Sequence, residues 1–222
     1  MTPEQQTLLN QIAEAVIHLD QDKVKTLTQQ AISLIPPQTI ISEGLSRGMQ
    51  TVGEQFKNGE IFIPGVMVAC DCYYAGLNLV KPLLKDRPRE TILGRIVIGT
   101  IHGDIHTVGK DVAVPVFEAA GFDVIDLGVA VPDEAFVEAV QKYQPDIVGL
   151  GTYMTATFMH TRETVEKLRQ AGLRERVKVI CGGPSVTGEA ARRLGADDAS
   201  NNAWEAVEIM RRWMEQKRTQ TA

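Results

Sequence analysis

From residue 95 onwards, short apolar runs rich in β-branched residues alternate with longer segments of helical periodicity. The predicted strands cover 95–100, 123–127, 146–150, 177–181 and a less apolar fifth run, 197–200. The predicted helices lie near 109–120, 133–143, 156–171, 188–194 and 203–216. Strands joined by crossover helices pair in parallel and need helices on both faces of the sheet. The pattern therefore predicts an α/β domain over 95–218 with a five-stranded parallel sheet.

The first 84 residues show helical periodicity only. Thr2 and Gln5 fit a capping box at the start of the first helix, and Asp20 fits the start of the second. Two further helices with the same apolar spacing follow after short connections. The pattern predicts a four-helix bundle over 1–84. The charged, proline-containing stretch 85–94 is then the predicted linker to the sheet domain.

Gly44 and Gly48 stand four residues apart in the third predicted helix. Glycine in a helix interior costs about 1 kcal/mol relative to alanine. Because residues at this spacing share one helix face, we expect another helix or a ligand to approach that face closely.

The composition is that of an ordinary globular protein. Hydrophobic residues make up 44% and charged residues 23% of the 222 positions. The net charge of −5 gives no electrostatic case for binding nucleic acid or a membrane surface. A run of about 18 apolar residues is absent, and the N-terminus lacks the basic start and apolar core of a signal peptide. The three cysteines are an odd number, so they do not suggest a disulfide framework. Together these features predict a cytoplasmic protein without nucleic-acid or membrane partners.

Cys70 and Cys72 invite a metal-binding interpretation that helix geometry disfavours. They lie two residues apart in the fourth predicted helix. At about 100° per residue their side chains point about 200° apart, so they do not face one ion.

The loop 103–109 places an acid and an imidazole between two glycines, directly after the first predicted strand. Ligands of open α/β sheets bind at the carboxyl ends of the strands. His106 offers a neutral nitrogen to a metal, and Asp104 is placed to hold the other ring nitrogen. The alternative interpretation is a plain turn, in which Asp104 caps the following helix and His106 is merely exposed.

Two further loops are expected at the same edge of the sheet. The segment 149–157 carries the hydroxyls of Thr152, Thr155 and Thr157, and the segment 181–184 offers bare backbone at its glycines. A phosphate-binding P-loop pattern does not occur.

Together the three loops resemble the signature of the cobalamin-binding domain family, which is Asp-x-His-x-x-Gly, Ser-x-Leu and Gly-Gly on a flavodoxin-like sheet. The first part is complete over 104–109 and the last over 182–183. The middle part departs, because Gly151 stands where the family has Ser and Tyr153 where it has Leu. The resemblance implies a flavodoxin-like, Rossmann-type sheet domain.

The helical half resembles the same family. The segments 48–56 and 59–64 look like the helical cap that precedes the cobalamin domain in methionine synthase and in corrinoid proteins of methylotrophic and acetogenic methyl transfer. The resemblance covers nearly the whole chain and implies a free-standing corrinoid methyl carrier, with a cap at 1–84 and a cobalamin-binding domain at 95–218.

The resemblance implies a role for each matching residue. His106 is the expected lower ligand of cobalt, Asp104 is expected to hydrogen-bond the other imidazole nitrogen, and Thr157 to extend this relay. The slot for the displaced nucleotide tail is expected to be lined by Gly109, Thr155, Gly182 and Gly183, with Gly151, Thr152 and Tyr153 also contacting the cofactor. The upper face of cobalt is expected to be covered by Phe62, Val66 and Met67. The hydroxyl missing at Gly151 implies a cofactor with a different lower base, or a replacement hydroxyl from Thr152.

The function that the resemblance implies is methyl transfer on cobalt. The cofactor would be cobalamin or a related cobamide in its cob(I)amide, cob(II)amide and methylcobamide states. The partners would be a substrate-specific methyltransferase, an acceptor methyltransferase that uses tetrahydrofolate or a thiol, and a reductive activase. The protein alone would turn over no substrate. The methyl donors served by such proteins include aryl methyl ethers, methanol, methylamines and betaines. We expect an aryl methyl ether, although no residue of the sequence supports this choice.

Two alternatives remain open on the sequence. A cobalamin-dependent sensor or regulator shares both domains, but it usually adds a helix-turn-helix domain, and no basic third domain occurs in this sequence. An α/β metal enzyme would instead use His102 together with His106. His18 and His160 are expected on helix surfaces and are assigned no role.

Overall fold

The structure is a computed structural model that describes residues 1–84, 92–184 and 186–221. Its chain divides into two compact units, Met1–Pro88 and Arg89–Ala222. Residues 85–91 of the predicted linker lie outside the described residues. The predicted limits of the two domains and of the linker therefore stay predictions.

The first unit is helical, as predicted. Its helices are α1 (Pro3–Ile17), α2 (Gln21–Ala31), α3 (Pro37–Thr39), a π-helical segment (Ile40–Ser46), α4 (Arg47–Lys57) and α5 (Ile63–Val80), followed by a 3₁₀ turn (Lys81–Leu83). The predicted capping box is present, because the Thr2 hydroxyl accepts from the Gln5 N–H and the Gln5 side chain accepts from the Thr2 N–H. The Asp20 carboxylate accepts from the Lys23 N–H and begins α2.

Helix α1 passes directly over the two glycines of the third helical stretch. A Cβ placed on Gly48 would lie 2.8 Å from the Cβ of Val16 and 2.9 Å from the carbonyl oxygen of Ala13. A Cβ on Gly44 would lie 3.1 Å from the Cγ2 of Ile12. The predicted close approach is confirmed, and the approaching element is a helix of the same unit.

The stretch Ile63–Leu83 is long and apolar enough to cross a membrane by length and composition, with a hydropathy of 1.3 over its best 18-residue window. The prediction that no such stretch occurs is wrong in this respect. Helix α5 packs against α1, α2 and α4, and 44% of the window is buried. A helix that forms the centre of a bundle is apolar for that reason, so the composition alone is weak evidence for a membrane span.

The second unit contains a five-stranded parallel sheet in the order β2-β1-β3-β4-β5. Its strands are β1 (Arg95–Thr100), β2 (Asp123–Asp126), β3 (Ile147–Gly151), β4 (Lys178–Gly182) and β5 (Asp198–Ser200). Its helices are α6 (Val108–Ala119), α7 (Asp133–Tyr143), α8 (His160–Gln170), α9 (Gly188–Arg193) and α10 (Ala203–Thr221), with a 3₁₀ turn at Arg174–Arg176. This strand order is the flavodoxin-like one, which confirms the predicted fold.

The core of this unit lies between the central strands and the helices that cover them. Val97 and Val148 of the sheet are fully buried in one cluster with Phe136 of α7 and Leu168 of α8. These residues follow the continuous apolar pattern that a parallel strand needs, because both of its faces are covered.

The three central strands end level with one another. Thr100 pairs with Gly151, and Gly151 pairs with Gly182. The loops that follow β1, β3 and β4 therefore leave the sheet side by side, which is what places their side chains in one site.

Two helix limits differ from the sequence prediction. Helix α8 begins at His160 rather than near residue 156, because the Thr157 and Phe158 N–H groups both donate to the Met154 carbonyl and hold a turn there. Helix α10 runs to Thr221, beyond the predicted end at residue 216. Its Lys217 Nζ lies 2.7 Å from the Asp146 carboxylate, a contact that extends the helix along the domain.

Candidate functional site

The Asp104 carboxylate lies at the centre of the loop cluster. Asp104 is fully buried. Its Oδ1 accepts from the Nδ1 of His106 at 2.7 Å and from the His106 backbone N–H at 3.1 Å. Its Oδ2 accepts from the Tyr153 N–H at 2.7 Å and from the Thr157 hydroxyl at 3.2 Å. One carboxylate thus joins the loop after β1 to the loop after β3.

The hydrogen bonds decide the charge of Asp104. Burial alone would raise the pKa of this carboxyl. The Tyr153 N–H, the His106 ring and N–H, and the Thr157 hydroxyl outweigh that effect and hold the pKa below its usual value. Asp104 is therefore an ionised acceptor without a proton to donate.

An ionised Asp104 fixes the tautomer of His106. A carboxylate only accepts, so the hydrogen lies on the Nδ1 of His106 and the lone pair of the neutral ring lies on Nε2. The Thr100 hydroxyl holds the same residue by donating to the His106 carbonyl oxygen at 3.0 Å. The His106 side chain is 55% exposed, and no group in the described ranges hydrogen-bonds to Nε2. The site presents one oriented nitrogen lone pair, which is what a metal ion requires.

A cavity of about 280 Å³ opens beside this array, between the ends of the strands and α6. The predicted residues among those that line it are Gly109, Gly151, Tyr153, Gly182 and Gly183. Further lining residues are Ile98, Lys110, Ala113, Phe117, Cys181, Asn201 and Asn202. A slot walled by glycine backbone and apolar side chains suits a flat, partly polar ligand.

Two of the glycines are required by close packing. A Cβ on Gly183 would lie 1.7 Å from the carbonyl oxygen of Thr152, and the φ angle of Gly183 is +140°. A Cβ on Gly109 would lie 2.4 Å from the ring of Tyr153. Glycine at these two positions lets the loops after β3 and β4 and the first turn of α6 meet around the cavity.

These residues fit a corrinoid. The free lone pair on His106 is a suitable ligand for cobalt, and Asp104 orients the ring that carries it. The glycine-walled cavity lies in the same loop cluster, and its glycine backbone would contact a nucleotide tail. Thr152 is buried, and its hydroxyl has no hydrogen-bond partner in the part of the chain that the structure describes.

Some predicted residues stand apart from this cluster. Thr155 is exposed in the loop after β3 and does not line the cavity, and neither does Thr152. In the helical unit, the exposed fractions of Phe62 and Met67 are 71% and 38%, whereas Val66 is fully buried. Phe62 and Met67 therefore offer apolar surface that Val66 does not.

His102 of the metal-enzyme alternative lies beside His160, a residue that this alternative did not include. The ring of His102 lies 5.1 Å from that of His160, in edge-to-face geometry. The ligand atoms of Asp133, His160 and Glu163 all lie within 4.8 Å of one another. The Nδ1 of His160 is hydrogen-bonded to Glu163 at 2.5 Å. This cluster lies outside the array of Asp104 and His106.

The cysteines of α5 are free and buried. Burial, followed by the charge of Asp71, raises the pKa of Cys70 to about 12 and that of Cys72 to about 11. Both thiols are therefore protonated at neutral pH, which is unfavourable for binding a metal ion.

The sequence reasoning missed two residues of the site. Thr100 ends β1 and fixes the His106 carbonyl, and its signal was a polar residue in an otherwise apolar strand. Lys110 is buried in the first turn of α6 and donates to Asp126 at 2.6 Å. A lysine next to a glycine at the start of a helix is common and does not indicate a site. Its partner Asp126 lies 16 positions further along the chain, so the local sequence does not predict the pair.

Comparison with known proteins identifies the same two parts of the chain. A family model described as a B12 binding domain matches residues 94–208, and a second one described in the same words matches residues 8–81. Dimethylamine corrinoid protein 3 of Methanosarcina acetivorans is 40% identical over 202 residues, which cover 90% of this chain and 93% of that protein. Trimethylamine corrinoid protein 1 of the same organism is 38% identical, over 89% of this chain and 93% of its own.

Solved structures agree with these sequence matches. A chain of the methanol:cobalamin methyltransferase complex MtaBC from Methanosarcina barkeri aligns with a TM-score of 0.82 at 28% identity, over 97% of this chain and 85% of that one. A cobalamin-binding protein from Desulfitobacterium hafniense DCB-2 aligns with a TM-score of 0.74 at 36% identity, over 92% and 98% of the two chains.

Proposed function

Because this chain belongs to the family of corrinoid proteins with B12 binding domains, and so takes a corrinoid as its cofactor, we propose that it carries a methyl group between two methyltransferases. The observation that carries the proposal is the array of Asp104, His106 and Thr157 beside the glycine-lined cavity. It presents an oriented imidazole nitrogen where a corrinoid would need a lower ligand. When bound, the cobalt supplies the atom that accepts and gives up the methyl group.

The residues of the chain divide the remaining work. The Nε2 of His106 would hold the corrinoid, and Asp104 keeps the hydrogen on Nδ1. The Thr157 hydroxyl and the Tyr153 N–H keep Asp104 ionised and in place. The nucleotide tail would enter the cavity lined by Gly109, Gly151, Tyr153, Gly182 and Gly183. The exposed side chains of Phe62 and Met67 would cover the other face of the corrinoid. Val66, Thr152 and Thr155 keep their predicted roles only as predictions.

The relatives suggest the class of methyl donor. Corrinoid proteins named for dimethylamine and trimethylamine are 40% and 38% identical to this chain, over about nine-tenths of its length. We therefore propose a methylated amine as the donor, in place of the aryl methyl ether that the sequence expectation favoured. The partners are a donor methyltransferase, an acceptor methyltransferase that uses tetrahydrofolate or a thiol, and a reductive activase. The chain acts as the carrier subunit, and its location in the cytoplasm stays a prediction.

The lower ligand is tested by electron paramagnetic resonance of the cobalamin-loaded protein in its cob(II)amide form. If His106 ligates cobalt, nitrogen hyperfine splitting should appear, and labelling histidine with nitrogen-15 should change it from a triplet to a doublet. His106→Ala should abolish the histidine splitting and keep part of the bound cofactor.

His160→Ala is the matched control, because this histidine also pairs with a carboxylate, Glu163, at a loop edge. It should leave the splitting unchanged. A spectrum that does not respond to histidine labelling would remove His106 from the proposal.

The donor is tested with purified methyltransferases for dimethylamine, trimethylamine, methanol and an aryl methyl ether. Each is mixed with the reduced, cobalamin-loaded protein and its own substrate, and methylation is followed by the corrin absorption spectrum. We expect transfer from the amine enzymes. Transfer from the methanol or aryl ether enzyme alone would reject the amine assignment and keep the carrier role.

A further inference from the structure

The ring of Tyr153 lies between two glycines in the wall of the cavity. A Cβ on Gly109 would be 2.4 Å from the Cε1 and 2.6 Å from the hydroxyl oxygen of Tyr153. A Cβ on Gly151 would be 3.4 Å from the Cε2 of the same ring. One edge of the ring thus rests on the backbone of α6, and the other faces the end of β3.

The hydroxyl of Tyr153 also faces a backbone donor. The backbone N–H of Lys110 acts to lower the pKa of this hydroxyl. That N–H lies in the first turn of α6, where backbone donors have no partner within the helix. Burial, followed by the charges of Asp104 and Asp111, raises the pKa of Tyr153 to about 12, so the hydroxyl is neutral.

The ring stands next to the ligand for the corrinoid. The ring centroids of Tyr153 and His106 are 5.9 Å apart, and Tyr153 shares the cavity wall with Gly109, Gly151 and Gly182. A nucleotide tail is covalently attached to the corrin that His106 would hold. A tail that entered the cavity would meet the Tyr153 ring, which forms part of its wall.

We propose that Tyr153 is a specificity-determining residue that selects the bound corrinoid by its nucleotide tail. This inference rests on the proposed function. A bulky tail displaces the ring from between Gly109 and Gly151 and costs the packing of the ring against their backbone. A corrinoid without a nucleotide, such as cobinamide, needs no displacement. Tyr153 therefore weakens the binding of tail-bearing corrinoids relative to tailless ones.

The test is a pair of titrations of the full-length protein, one with cobalamin and one with cobinamide, followed by the corrin absorption spectrum. Tyr153→Leu should raise the affinity for cobalamin by about tenfold, because a tail then has no ring to displace. Its affinity for cobinamide should stay unchanged. Tyr153→Phe keeps the ring and loses only the hydroxyl, so its shift should be smaller and in the same direction.

Tyr143→Leu is the matched control, because Tyr143 lies at the end of α7 and is not a cavity residue. It should leave the ratio of the two affinities at the wild-type value. The inference would be overturned if the ratio of the cobalamin and cobinamide affinities were the same in the wild type, Tyr153→Leu and Tyr153→Phe. It would also be overturned if Tyr153→Leu bound cobalamin more weakly, since the ring would then support the tail. If the wild type binds neither corrinoid, the proposed function fails and takes the inference with it.

Discussion

At the scale of single residues, Asp104 serves donors on two sides with two oxygens, and an amide at this position cannot do the same. Asn has one acceptor oxygen and one NH₂ group. If the NH₂ faces His106, the ring nitrogen there must accept, and the hydrogen moves to Nε2. If it faces the loop after β3, it opposes the N–H of Tyr153. In either orientation the site loses part of what orients the ligand.

We therefore expect Asp104→Asn to lower the corrinoid affinity by about 10–100-fold and to weaken the histidine splitting in the resonance spectrum. Titration and the nitrogen-15 experiment measure the two effects. Asp146→Asn is the control, because Asp146 is also buried and accepts from the Arg95 N–H at 2.8 Å. It should cost stability and leave the splitting intact. An unaltered spectrum in Asp104→Asn would show that the carboxylate does not set the tautomer.

The lowered pKa of Asp104 also predicts a pH dependence of stability. The pKa of an unfolded aspartate is about 3.9, and the pKa of Asp104 in the folded protein lies below that ordinary value. Protons therefore bind the unfolded chain first, so the stabilising contribution is present above about pH 4 and is lost as the pH falls through the folded pKa. Urea unfolding of the wild type and Asp104→Asn should show a free-energy difference that is constant near neutral pH and narrows only in acid. If the difference in the free energy of unfolding between the two proteins stayed constant at acid pH, the lowered pKa of Asp104 would be contradicted.

The sequence reveals only part of the site at this scale. The pairing of Asp104 with His106 was predictable, because the two residues are close in the chain and follow a strand. Thr157 required the family resemblance, since it lies 53 residues away from Asp104. The placement of the Tyr153 ring against Gly109 had no signal, because it depends on the three-dimensional approach of two loops.

At the scale of elements, replacing Gly44 or Gly48 by alanine has two opposing effects on the stability of the protein, because α1 packs against both glycines. Alanine favours a helix over glycine by about 1 kcal/mol. At Gly44 the added Cβ would meet side-chain atoms of Ile12 and Leu9, the nearest of them the Cγ2 of Ile12 at 3.1 Å. At Gly48 it would lie 2.9 Å from the carbonyl oxygen of Ala13, which belongs to the backbone and cannot rotate away.

We expect Gly44→Ala to be close to neutral and Gly48→Ala to destabilise the protein by roughly 1–3 kcal/mol, as overpacking usually does. Urea unfolding monitored by circular dichroism compares the two variants directly. Cobalamin binding by Gly48→Ala at low temperature should be unchanged, because Gly48 lies in the other unit. Equal stabilities of the two variants would mean that α1 shifts to accommodate the new methyl group.

Element boundaries were less predictable than the elements themselves. Apolar periodicity located all five strands, but the later start of α8 follows from the turn at Met154 and Thr157. The longer α10 follows from the contact between Lys217 and Asp146, 71 residues apart. Such limits are set by tertiary contacts, which the local pattern does not contain.

At the scale of the whole molecule, the level ends of β1, β3 and β4 explain why three separate stretches of sequence form one site. The alternation of strands and helices was sufficient to predict a parallel sheet, and a parallel sheet gathers its loops at one edge. The predicted linker 85–94 rests on its composition alone, as residues 85–91 are not described.

The described residues that would hold the corrinoid and its tail all lie within Arg89–Ala222, whereas the expected cover of the upper face lies in Met1–Pro88. We expect a fragment of residues 92–222 to fold, to bind cobalamin and to keep the histidine splitting of the full-length protein. Because it lacks Phe62 and Met67, its reduced cofactor should be oxidised by air faster than that of the full-length protein, as followed by absorption. Phe62→Ala in the full-length chain should show part of the same increase, and Leu34→Ala, at an exposed leucine of the same unit, should show none. A fragment that binds cobalamin and is oxidised no faster would assign the protection of the cofactor to the sheet domain alone.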